Sequence, residues 1–152
     1  MLKAIGFWRD THGVFRRCPR PQWLVQRGWH AAESERILRY LRSGHDFAAC
    51  CGWSTCRFRG CREGERNGAG NFTDGEWYWP EGLAHYVRHH AVILPEEFIE
   101  TMRANDWQVP AVAEPVEIAK RTFDYTFWLD WAGQQQRQRW YHFWRLAFYR
   151  AA

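Results

Sequence analysis

The chain has 152 residues, enough for one domain that buries roughly two thirds of its unfolded surface. Its 46% hydrophobic content and net charge of +4 are those of an ordinary globular protein. No apolar run is long enough to span a bilayer and no secretory core opens the chain, so the expected setting is the reducing cytoplasm, with no membrane partner.

Residues 1–30 read as an irregular N-terminal arm. Arg16-Arg17-Cys18-Pro19-Arg20-Pro21 cannot continue a helix, and Phe7, Trp8, Trp23 and Leu24 are its expected anchors. Residues 31–105 form an α-β-β-β-α core. Ala31 to Ser43 is a helix with Ile37, Leu38 and Leu41 as its apolar stripe, ended by Gly44. His45 to Trp53 alternates as a strand does, and Cys56-Arg57-Phe58-Arg59 is expected to be a second one. The glycine-rich stretch from Gly60 to Gly70 is a loop. Gly70 to Thr73 and Glu76 to Trp79 then pair as a central hairpin across Asp74-Gly75, a dipeptide suited to a tight turn.

Pro80 and Glu81 open a helix carrying Leu83, Tyr86 and Val87, and Pro95 starts another that runs to about Asn105. Trp107 to Pro115 is a connector. Residues 120–152 form a C-terminal helical region, rich in rings and broken near Gly133 if anywhere; between Tyr125 and Trp131 an alternating pattern competes with helix. The fold class is therefore α+β: one domain, 1–152, with a small antiparallel sheet of three or four strands, helices on one face and an aromatic-rich C-terminal helix.

Four kinds of function are open to these residues. Metal binding would use Cys56 and Cys61 with His85 and His89, a C-x4-C pair and a helical H-x3-H pair of the type that chelates zinc in a tetrahedron. In that reading His90 points away with Leu83, Tyr86 and Val87. The competing explanation is a Cys acting as a small hydrophobe and histidines favoured by the helix C-terminus. No organic cofactor is expected; zinc is the candidate. Catalysis would fall to Glu81, His85 and Asp74 as acid/base groups, with Cys56 as nucleophile, but no catalytic motif frames them.

Nucleic-acid binding would draw on Arg57, Arg59, Arg62 and Arg66 beside Phe58 and Trp53. The basic residues are nearly all Arg, with Lys3 and Lys120 the exceptions, which suits phosphate or carboxylate partners. A G- and C-rich genome would enrich the same residues without any function.

The preferred reading is a non-enzymatic protein-binding module. Aromatic content is 18%, with 11 Trp, and Trp, Tyr and Arg dominate interface hot spots. Its surface would include Trp53, Arg57, Arg59, Trp77, Trp79, Trp140 and Trp144, facing another protein, an acidic one among the options. By analogy, such a chain suits an immunity-type inhibitor or an accessory subunit.

Thr73-Asp74-Gly75, Trp79-Pro80-Glu81-Gly82-Leu83-Ala84-His85-Tyr86-Val87 and Leu94-Pro95 resemble a signature of uncharacterised bacterial proteins, preceded there by a Ser-x-Cys-Arg segment like Ser54-Thr55-Cys56-Arg57. The resemblance covers roughly the central third to half of the chain and implies a bacterial source and no particular activity.

Overall fold

The computed structural model describes residues 1–49, 52–112 and 122–149, with side chains outside 47–49 and 142–149. Its centre is the Asp74-Gly75 hairpin, joining β3 (Gly70–Thr73) to β4 (Trp77–Pro80). Asp74 Oδ1 accepts hydrogen bonds from the backbone N–H of Glu76 and Trp77 at 2.9 and 2.7 Å, which makes the side chain part of the turn. Gly75 completes it with φ +94°, a conformation few other residues adopt cheaply. Thr73 Oγ1 donates to the Trp77 carbonyl at 2.6 Å, and Tyr40 Oη donates to Asp74 Oδ2 at 2.7 Å from the neighbouring helix.

β2 (His45–Ala49) pairs antiparallel with β3, with a register shift between Asp46 and Ala48. The sheet is larger than the expected three or four strands. β1 (Leu2–Ala4) pairs parallel with β4, and β5 (Phe123–Asp124) pairs parallel with β1. The order is β2-β3-β4-β1-β5, a mixed five-stranded sheet. The N-terminus is thus not wholly an irregular arm. Three residues between Met1 and Ile5 form an interior strand, a run too short to leave a periodic signature. Two 3-10 turns, Gly13–Arg16 and Pro21–Leu24, follow it, and Val25 bridges to Val92.

The helices are α1 (Ser34–Arg42), α2 (Leu83–His90), α3 (Glu96–Ala104) and α4 (Thr126–Tyr149). None of those described is long and apolar enough to cross a membrane. Along β4, alternate residues point to opposite faces. Trp77 and Trp79 enter the main core, against Phe98 of α3 at ring separations of 5.1 and 5.3 Å, while Tyr78 joins Leu2 and Ala4 in a smaller cluster behind the sheet. Trp79 Nε1 donates to the Leu41 carbonyl and Trp77 Nε1 to Thr101 Oγ1, so both indoles are buried with their donors satisfied. Each such burial stabilises by roughly 1.5–3 kcal/mol or more. These two rings, expected on the binding surface, are core. The reason is their register: in a strand covered by helices, the wide apolar rings take the covered face.

α4 runs without a break through Gly133, and Trp128 on its first turns is fully buried, its Nε1 donating to the Phe7 carbonyl at 2.8 Å. The fold is α+β, with an aromatic-rich C-terminal helix. Trp140 and Tyr141, farther along it, are open to solvent. Trp144 lies outside the residues whose side chains are described.

Candidate metal centre

The expected strand from Cys56 to Arg59 is instead a loop folded onto α2. The backbone hydrogen bonds of these residues go to the loop itself and to α2, not to a neighbouring strand. Ser54 and Asn67 close the neck of the loop: Ser54 N donates to the Gly68 carbonyl and Asn67 N to the Ser54 carbonyl, both at 2.8 Å. Inside it Cys56 N donates to the Gly64 carbonyl at 2.8 Å, and a 3-10 turn, Arg62–Gly64, follows Cys61. Glu81, just before α2, fastens the end of the loop, its Oε2 accepting from the backbone N–H of Ala69 and Gly70 at 2.8 and 3.1 Å.

The loop crosses α2 over Tyr86, whose hydroxyl accepts the Arg57 N–H at 2.9 Å. Phe58 then stacks on the His90 imidazole, with ring centres 3.9 Å apart and planes nearly parallel. This seating brings four donors together: Cys56 Sγ lies 3.2 Å from His90 Nε2, and Cys61 Sγ lies 3.5 Å from His85 Nε2. All four donor atoms are within 4.8 Å of one another, and each of the four residues is half-buried. The edge of a zinc tetrahedron, from metal–sulfur and metal–nitrogen bonds near 2.3 and 2.0 Å, is about 3.5 Å. Cys56, Cys61, His85 and His90 could hold a metal ion.

Gly64 makes the close approach feasible. A Cβ there would stand 2.1 Å from the Cys56 Cβ and 3.3 Å from His85 Nε2. The Phe58 N–H donates to Cys56 Sγ at 3.4 Å, an orientation that also steadies a thiolate. Burial holds the His85 and His90 imidazoles below their usual pKa, with neighbouring imidazoles adding to the effect, so both are neutral and able to donate a lone pair near pH 7. Burial also pushes the Cys56 thiol up, with Cys61 beside it contributing. A bound cation reverses that preference.

His89, expected as the fourth ligand, turns instead to Glu63 Oε2 and stacks on His85 at 4.9 Å. Sequence reasoning placed His90 on the core face with Tyr86, and the two do share a face. What it missed is that the outer end of Tyr86 receives the loop, so the residue four positions later meets Cys56. The Tyr86/His90 pair at i,i+4 was the available signal.

Of the catalytic candidates, Cys56 lies beside His85 in the cluster of four donors, whereas Asp74 and Glu81 are held by backbone hydrogen bonds elsewhere. Asp74 is buried in the hairpin, accepting from three donors, with its pKa raised chiefly by burial. Glu81 is engaged with the loop backbone. Of the surface candidates, Trp53 is 60% exposed beneath the Arg66 guanidinium, and Arg57 and Arg59 are exposed. Cys18, Cys56 and Cys61 form no disulfide. Comparison with family models, curated proteins and solved structures finds no match to the chain.

Proposed function

We propose that the protein is a non-enzymatic binding module whose loop 52–69 is braced by a structural zinc ion on Cys56, Cys61, His85 and His90. The observation that carries this reading is the convergence of two thiols from one loop and two imidazoles from one helix within 4.8 Å. Two sulfurs and two nitrogens at tetrahedral separations suit Zn²⁺ among the common ions. All four positions would be filled by protein, leaving none for water or substrate, which favours a structural ion over a catalytic one.

The sequence between the two cysteines is Arg57-Phe58-Arg59-Gly60, so fixing the ends of that segment fixes the surface it offers. Arg57 and Arg59 then join the exposed Trp53 as an arginine and tryptophan surface toward another protein. Candidate acid/base groups committed to structural hydrogen bonds lend further support to a binding role.

Metal content of protein purified under reducing, chelator-free conditions tests the proposal. One zinc per chain is expected, lost in Cys56→Ser and His90→Ala and kept in His89→Ala. Wild-type protein that takes up no Zn²⁺, or His90→Ala protein that retains it, would overturn the reading.

A further inference from the structure

Beside the braced loop lies an open groove of about 790 Å³ walled by Arg9, Arg16, Arg20, Arg57 and Arg59, with Asp10 as the single acidic residue lining it among the described residues. Asp10 is paired with Arg57 at 2.8 Å, and Arg9 lies over the Trp23 ring at 5.3 Å. Arg16, Arg20 and Arg59 have no carboxylate partner among the described residues and are exposed. Five guanidinium groups drawn from two separate segments therefore face one space with a single compensating charge among the described residues, an arrangement whose mutual repulsion a bound anion would relieve.

A second cavity, of about 290 Å³, adjoins the first, sharing Asp10 and Arg57 with it. It opens past the carboxyl ends of the parallel pair β1 and β4. Phe7, Trp8, Phe15 and Pro80 form an apolar part of its wall, the rest being mostly glycine and polar residues. Trp8 is buried, and its indole N–H has no acceptor among the described residues. The Arg57–Asp10 pair stands where the two spaces meet.

We infer that the two cavities together form the docking site for an acidic segment of a partner protein, with one aromatic side chain of that segment seated in the smaller cavity. This deepens the binding-module reading and rests on it. Three observations select this occupant. The small cavity, of about 290 Å³, is at the lower limit of the roughly 300–1,000 Å³ of typical ligand pockets and has room for one large side chain. The basic groove is open rather than enclosed, as a surface for an extended chain would be. Among the described residues its lining contains no aromatic ring, so it lacks the row of ring platforms on which successive nucleobases stack. Arginine forks pair with carboxylates in bidentate fashion, and an incoming carboxylate would compete with Asp10 for Arg57.

The test uses the 152-residue chain, loaded with zinc, and a synthetic peptide of aspartate and glutamate with one central phenylalanine, its ends blocked. Calorimetric or anisotropy titration should show saturable binding that weakens at least about tenfold in the Arg16→Glu/Arg20→Glu/Arg59→Glu variant and falls as salt rises. Replacing the peptide's phenylalanine by alanine, or filling the mouth of the small cavity with Ser54→Trp, should weaken it at least about fivefold. The arginine and Ser54 changes are at exposed positions, and circular dichroism checks that each variant is folded. No binding, binding indifferent to the charge reversals, or equal binding of the alanine peptide would overturn the inference. So would tighter binding of a short oligothymidylate or of tripolyphosphate than of the peptide. Metal analysis is a separate readout: peptide binding by a protein without zinc removes the brace alone, and zinc without peptide binding removes this docking site alone.

Discussion

Gly64→Ala is the sharpest perturbation of the candidate centre, because it replaces neither a core side chain nor a ligand residue. The added methyl would sit 2.1 Å from the Cys56 Cβ, whereas carbon atoms rest at about 3.5–4.0 Å. The two chain segments must then separate by roughly 1.4–1.9 Å, although the Cys56 N–H to Gly64 carbonyl bond ties them together. Metal ligands tolerate about 0.2 Å. Cys56 Sγ is carried out of range, and zinc affinity should fall by at least the 10–100-fold typical of lost supporting contacts. Strain in the metal-free protein should cost about 1–3 kcal/mol.

Competition with a chromophoric chelator measures the affinity, and Co²⁺ substitution reports tetrahedral thiolate ligation. Zinc at 100 times its dissociation constant should stabilise the wild type by about 2.7 kcal/mol. The variant should gain much less, so chelator should shrink the gap in melting temperature between the two. Gly60→Ala is the control, since a Cβ there meets nothing within 4 Å and only the backbone strain of φ +74° is added. A Gly64→Ala protein with wild-type zinc affinity and an unchanged Co²⁺ spectrum would refute the geometry.

Further predictions concern the frame of the site. Asp74→Ala should destabilise by about 2–4 kcal/mol in denaturant titration, because it strands the buried Tyr40 hydroxyl and two backbone donors; Asp74→Asn, which keeps an acceptor, should cost about 1 kcal/mol. Since burial raises the Asp74 pKa above its unfolded value, that group's contribution is lost as pH rises through the folded value, and Asp74→Asn should flatten this part of the stability profile. Glu33 behaves oppositely. Arg103 bonds both its oxygens, at 2.9 and 2.7 Å, and holds its pKa down to about 2, so its contribution is present above the unfolded carboxylate range and disappears as pH falls toward 2. Arg103→Met should shrink that acid limb, leaving the smaller part that His30 supplies. In α4, Gly133→Ala should raise stability by roughly 0.5–1 kcal/mol in thermal melts, the added Cβ meeting only the Arg137 side chain, at 3.5 Å, among the described residues.

The hairpin, the three shorter helices and the character of the C-terminal helix were legible because each is written in local terms. Asp74-Gly75 has its turn chemistry in two adjacent residues, and Pro80 and Pro95 announce the helices that follow them. Three ligands of the candidate centre were also visible, since C-x4-C and His85 supply recognisable donor types at chelating range. Local information ended there. Leu2–Ala4 becomes an interior strand by pairing with residues more than 70 positions away, which three residues cannot advertise. Trp77 and Trp79 were distinguished from Trp53 only by what covers them. The exchange of His89 for His90 depended on which side of α2 received the loop, and that was decided by a backbone N–H reaching the Tyr86 hydroxyl from Arg57. Residue types along the chain determine which chemistry is available; the packing of distant segments decides which atoms meet, because that depends on contacts whose partners lie far apart in sequence.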